Sequence, residues 1–124
     1  VVGAPDAHAR NYAVLLDGDS VELAPLFDVA SGFAYGVRPG SSRVLSMSVG
    51  GTFLVDGIDR DAWARFADAA HLDPARVADR VRDMRSRAPD AFAQALDDVD
   101  DDVDGHTAEL RERLLPELRV GAAS

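Results

Sequence analysis

From Asp59 onward the apolar residues change their spacing, and that change fixes the kind of fold open to this chain. Behind Asp59, a natural N-cap, Trp63, Phe66, Ala67 and Ala70 fall at i, i+3, i+4 and i+7, the spacing of one helix face. Asp73-Pro74 opens a second helix, because Pro at the first helical position gives up no hydrogen bond. Val77, Val81 and Met84 mark its apolar side. Pro89 lacks an amide donor, so the Ala88-Pro89 step predicts a break or kink, with Phe92, Ala95 and Leu96 resuming the apolar face beyond it. A last helix is expected from about Thr107, with Leu110, Leu114 and Leu118 on one side. Pro116 should loosen its end, and residues 119–124 should fray.

Ahead of Asp59 the pattern is that of strands and turns. Tyr12-Ala13-Val14-Leu15-Leu16, the turn residues Asp17-Gly18-Asp19-Ser20 and Val21-Glu22-Leu23 predict a β-hairpin within residues 12–29. Residues 31–58 are punctuated by Gly32, Gly36, Pro39-Gly40, Gly50-Gly51 and Gly57 and read as a long connection. Inside it, Val44–Val49 is short enough for a buried strand or one helical turn. The expected fold is α+β and mainly α: an N-terminal hairpin followed by a helical bundle. A length of 124 residues suits one domain, 1–124, and the 47% hydrophobic content can fill a core.

Composition removes several function classes. With no cysteine there are no disulfides and no thiolate metal sites. A net charge of −9 leaves no basic excess for general nucleic-acid binding. All thirteen basic residues are Arg. No apolar run approaches the roughly 18 residues of a membrane span, and no signal peptide is visible, so a cytoplasmic location without membrane contact is expected.

The chemistry-bearing residues gather in the first part of the chain. Asp6-x-His8-x-x-Asn11 places a carboxylate, an imidazole and a carboxamide on one short segment, and a second acid, Asp28, follows the hairpin. Phosphoryl transfer uses such a set: one carboxylate orients the attacking hydroxyl, while an amide oxygen and a second carboxylate hold Mg²⁺ against phosphates. The predicted hairpin sets Asn11 just before its first strand and Asp28 just after its second, at one open end. Asp28 lies between Phe27 and Val29, whose neighbourhood favours burial, so it needs a partner: a cation, or one of Arg10, Arg38 and Arg43. His8 suits either a ligand or a structural hydrogen bond, and His71 and His106 sit near helix ends. Asp100-x-Asp102-x-Asp104-Gly105 opens like a calcium loop, but its twelfth position is Arg111 where a Glu is needed. A solvated inter-helix linker is the plainer account of the acidic run Asp97–Asp104. Ser46 and Ser48 are possible phosphate acceptors in a Gly-rich stretch. There is no Gly-x-Ser-x-Gly elbow and no Walker A loop.

The spacing Asp6-x-x-x-x-Asn11 is similar to the catalytic loop of protein kinases. More specifically, Asp6-Ala7-His8-Ala9-Arg10-Asn11 resembles the Asp-x-His-x-Lys-Asn motif of HipA-like toxin kinases. Leu23-Ala24-Pro25-Leu26-Phe27-Asp28 resembles their Leu-x-Pro-x-Tyr-Asp segment, and Leu45-Ser46-Met47-Ser48-Val49-Gly50-Gly51 their Leu-x-Leu-Ser-Ile-Gly-Gly stretch. The three occur in the family's order and cover about the first 50 residues. The resemblance implies the C-terminal lobe of a bacterial serine/threonine kinase, with residues 1–30 as catalytic loop and metal-binding hairpin, 31–58 as connection and 59–118 as helices. Asp6 would be the catalytic base, Asn11 and Asp28 the Mg²⁺ ligands, and His8 and Arg10 supports of the loop. The cofactors would be ATP and Mg²⁺, with the phosphate-binding Lys and loop upstream of Val1. The partners would be a protein substrate, typically of translation, and a DNA-binding antitoxin of HipB type. Arg10 departs from the family's Lys, keeping the charge as a planar fork; Ala4 and Thr52 depart at less critical points.

The lobe by itself should be inactive, because phosphate clamping and positioning dominate this chemistry. Two alternatives remain open to the sequence: a lobe of a phosphoinositide-type lipid kinase, which shares Asp-x-His-x-x-Asn, and a non-catalytic acidic domain that binds a basic protein.

Overall fold

We describe a computed structural model of the chain over residues 2–36, 40–99 and 106–123. Strands β1 (Val14–Asp17) and β2 (Ser20–Leu23) pair antiparallel, with Val14 opposite Leu23 and Asp17 opposite Ser20. Gly18 takes positive φ in the two-residue turn between them, where a hairpin needs it. A bond from Ala24 N to Ala13 O (2.9 Å) extends the ladder by one step toward the open end. A second hairpin joins β3 (Val44–Val49) to β4 (Thr52–Leu54), so Val44–Val49 is a strand and not a helical turn, but a mostly exposed strand and not a buried one. Gly50 and Gly51 both have positive φ in its turn. The β3–β4 register slips between Val44↔Leu54 and Val49↔Thr52, so β3 covers five residue steps against two on β4.

Three helices follow: α1 (Arg60–Ala69), α2 (Pro74–Asp97) and α3 (His106–Ala123). The caps are those the sequence implied. Asp59 accepts from Ala62 N at 2.8 Å, and Asp73 accepts from Arg76 N at 2.9 Å. His71, at φ 55, ends α1 in the left-handed conformation while Leu72 N returns to Ala67 O; this histidine is a helix stop.

Three expectations about the helices need correction. Pro89 does not break α2, which runs on to Asp97. The proline is buried, and Ala88, Phe92 and Ala93 around it pack on α3, so interior contact holds the helix together despite one missing amide bond. Nor does Pro116 fray α3, which continues to Ala123 with Leu115 and Leu118 buried on either side of it. The apolar stripe of α3 is also rotated: Leu114, Leu115 and Leu118 are buried, whereas Leu110 is exposed. These three leucines form the core with Val2, Phe33, Ala88, Phe92 and Ala93 around them. At the far end of the same interface Arg111 pairs with Asp97 and reaches the Ala93 carbonyl (3.4 Å), joining α3 to α2. Arg111 therefore acts as an ion-pair partner at the position where a calcium loop would need its last ligand. Asp100–Gly105, the body of that suggested loop, lie outside the described residues, as does Arg38.

Candidate active site

The segment carrying Asp6 is held mainly through its backbone. Ser31 Oγ donates to Val2 O (2.7 Å), Gly32 N to Gly3 O (2.8 Å) and Ser46 N to Pro5 O (3.0 Å). Residues 2–5 are thereby strung between the 31–33 turn and β3. The approach is close enough to need glycine on both sides. A Cβ on Gly3, which has φ +54, would stand 2.6 Å from the Phe33 ring, and one on Gly32 would stand 2.7 Å from Gly3 O. Phe33 in turn reaches the leucine core and carries the Arg43 guanidinium 5.2 Å above its ring centroid.

From this anchored segment the chain turns at Asp6, whose side chain is 83% exposed. His8 N donates to Asp6 O (2.9 Å), and a 3₁₀ turn at Ala9–Asn11 follows. His8 Nε2 lies 3.9 Å from Asp6 Oδ1, too long for a hydrogen bond, while its Nδ1 is buried without a partner among the described residues. Arg10 is exposed on the 3₁₀ turn. Asn11 is only 2% exposed and is the buried polar residue of the described chain. Its Oδ1 accepts from His8 N (3.1 Å), and its Nδ2 donates to Asp28 O (3.2 Å) and Asp28 Oδ2 (3.3 Å). Because a backbone N–H can only donate, the bond from His8 fixes which end of the carboxamide is oxygen.

The hairpin does bring Asn11 and Asp28 together at its open end, as their flanking positions implied. Other expectations about this acid fail. Asp28 is exposed, and so are Phe27 and Val29. Its partner among the described residues is Asn11, not an arginine: Arg43 is committed to Glu117 at 3.4 Å. Asp28 also sits at φ 55, a conformation that costs a non-glycine residue about 1–2 kcal/mol and that Asp tolerates through local hydrogen bonds.

Both Asn11 and Asp28 supply hard oxygen, and the Asp28 carboxylate keeps an oxygen free of hydrogen bonds to the described residues. No group of three His, Cys, Asp or Glu capable of caging a metal occurs among the described residues. The carboxamide turns its NH₂ to Asp28 and its oxygen to His8 N, so the free Asp28 oxygen is the donor on offer, which suits a cation that takes one or two protein oxygens and fills its shell with water and phosphate, as Mg²⁺ does. Beside Pro5, an open cleft of about 320 Å³ is lined by Gly3, Tyr35, Arg43, Val44 and Val55. Sequence reasoning missed Gly3, Ser31, Gly32 and Phe33, which seat the Asp6 segment. Of these only Gly32 left a trace in the sequence, as loop punctuation.

Residues 1–92 match the HipA-like C-terminal domain. The chain is 33% identical over 101 residues to "Putative kinase Y4mE" of Sinorhizobium fredii, an alignment covering 82% of this chain and 23% of that protein. Its fold matches HipA in the Shewanella oneidensis HipA, HipB and operator DNA complex, with a TM-score of 0.73 and 23% identity over 96% of this chain and 28% of that one. The chain thus spans about a quarter of the length of these relatives. Among the described residues no helix is long and apolar enough to cross a membrane. On the match over its first 92 residues, the chain belongs to the HipA-like C-terminal domain family.

Proposed function

We propose that this chain is the catalytic-loop lobe of a cytoplasmic bacterial serine/threonine protein kinase of toxin–antitoxin type. It would act within a polypeptide of its relatives' length. The observation that carries the reading is the meeting of Asn11 and Asp28 across the hairpin, on the same short segment as the exposed Asp6. In this reading Asp6 accepts and orients the substrate hydroxyl, and the backbone bonds at Gly3 and Pro5 fix where it stands. Asp28 and, through the second lone pair of its Oδ1, Asn11 would hold Mg²⁺, which would supply positive charge against the ATP phosphates. His8 supports the turn through its backbone, donating to both Asp6 O and Asn11 Oδ1. Arg10, exposed beside it, supplies positive charge near the phosphates. The cleft beside Pro5 offers room for the substrate segment that carries the hydroxyl.

The solved relative was captured with HipB and operator DNA, which supports a HipB-type antitoxin as partner. DNA contact would fall to that partner, given this chain's charge of −9. A translation-machinery protein is the proposed substrate. The test is γ-phosphoryl transfer by the whole parent protein. Asp6→Ala and Asp28→Ala should each lower it by roughly a hundredfold or more, the scale of a lost general base or metal ligand. Because Asp6 is exposed, the variant should keep the wild-type melting temperature. Transfer at the wild-type rate in a folded Asp6→Ala protein would overturn the reading. Lipid phosphorylation in place of protein phosphorylation would redirect it to the lipid-kinase class.

A further inference from the structure

We propose that Asn11 is the positioning residue for Asp28, holding both its main chain and its carboxylate in place before any cation arrives. Asp28 has little else to hold it. Its neighbours Phe27 and Val29 are exposed, and Asn11 is its hydrogen-bonding partner among the described residues. Its left-handed backbone is one that an L side chain rarely adopts unaided. The Asn11 NH₂ group has two protons and meets two acceptors on that one residue, the Asp28 carbonyl at 3.2 Å and Oδ2 at 3.3 Å. The donor cannot swing away, because Oδ1 at the other end of the carboxamide accepts from His8 N at 3.1 Å. It also has reason to stay, since the carboxamide is 2% exposed and an unpaired buried NH₂ would lose its solvation without recompense. His8, Asn11 and Asp28 thus form a relay: the catalytic turn sets the carboxamide, and the carboxamide sets the acid across the hairpin. The same residue has two ends with different tasks, its nitrogen holding Asp28 and its oxygen accepting from the turn that carries His8.

This inference rests on the proposal that Asn11 and Asp28 form one site, but its test needs neither metal nor nucleotide. The chain has a single Asn and a single Gln, so the side-chain amide region of a ¹⁵N spectrum holds two NH₂ pairs, Asn11 and the exposed Gln94. In the metal-free wild-type chain, Asn11 NH₂ exchange with solvent should be at least tenfold slower than that of Gln94. Asp28→Ala should bring the Asn11 rate back toward the Gln94 rate. Asn11→Asp keeps an acceptor for His8 N–H but removes the donor. In that variant the HN–Hα and one-bond Cα–Hα couplings of residue 28 should report loss of the positive φ seen in the wild type. Equal exchange rates for Asn11 and Gln94 in the wild type would overturn the proposal. So would a residue 28 that keeps positive φ in Asn11→Asp. Either failure leaves the kinase reading standing, and a failed kinase assay leaves these metal-free outcomes unchanged.

Discussion

The two halves of this molecule are held by different forces. In the helical half, side chains do the holding: Leu114, Leu115 and Leu118 are buried against Phe92, Ala88 and Ala93. In the N-terminal half, Val2 and Phe33 reach that core, but the rest is held mainly by backbone bonds and glycine contacts, and the apolar side chains of the first hairpin and its flanks stay out. Tyr12, Val14, Leu15, Leu16, Val21, Leu23, Leu26, Phe27 and Val29 are all exposed. A two-stranded hairpin is marginal in water without a covering layer, and an apolar patch of this extent is unusual on a free monomer. The site is therefore built on the half with less buried apolar packing of its own.

The largest expected effect tests the seam between the halves. Gly50 has φ +56, and a Cβ there would stand 2.0 Å from Ala62 O, so the β3–β4 turn lies directly on α1. Arg65 Nε clamps the same turn by donating to Gly50 O at 2.8 Å. Gly50→Ala combines backbone strain with a clash against main chain that cannot rotate away. It should cost roughly 2–5 kcal/mol in urea unfolding. A loss below about 0.5 kcal/mol, the scale of an indifferent surface change, would mean that the turn is free of α1 and that the halves are not joined there.

Next in size is the helical half alone. Leu118→Ala empties part of the leucine core and should cost about 2–4 kcal/mol. The comparison sharpens if the amides of β1 and β2 keep their wild-type shifts in this variant while those of α2 and α3 move. Asp59→Ala removes a single cap bond to Ala62 N and should cost about 1 kcal/mol. The same readout should find its effect confined to α1.

What the sequence made legible divides along the same line. Caps, helix starts and the first hairpin depend on residues near one another in the chain, so Asp59, Asp73-Pro74 and Asp17-Gly18 announce themselves. Pro89 and Pro116 misled because their local cost is outweighed by contacts that α2 and α3 make with each other, which no local rule contains. The stripe of α3 was placed in part: Leu114 and Leu118 are buried as expected, but Leu115 joins them where Leu110 was expected, packed with Phe92 and Phe33. At the site, flanking positions sufficed to bring Asn11 to Asp28. The seating of Asp6 did not show, because it runs through backbone atoms of Gly3, Pro5, Gly32 and Ser46, and backbone hydrogen bonds leave no signature in residue identity.

The smallest expected effect is the most pointed test of the comparison. Leu16 is 74% exposed on β1, with Val21 opposite it in the ladder. Were the hairpin stabilised by its own apolar side chains, Leu16→Ser would lose buried area and weaken the chain. The structure gives it almost none to lose, so the change in unfolding free energy should stay within about 0.5 kcal/mol. Dye binding to exposed apolar surface should fall at the same time, since the substitution removes part of the patch. In a parent protein whose remaining polypeptide packs on this hairpin, the same substitution should cost about 1–3 kcal/mol, as for a buried leucine made polar. An effect that is small in the isolated chain and large in the parent would show that the hairpin is an interior surface presented in advance of its cover. A large effect in both would break the comparison, because the hairpin would then carry its own weight.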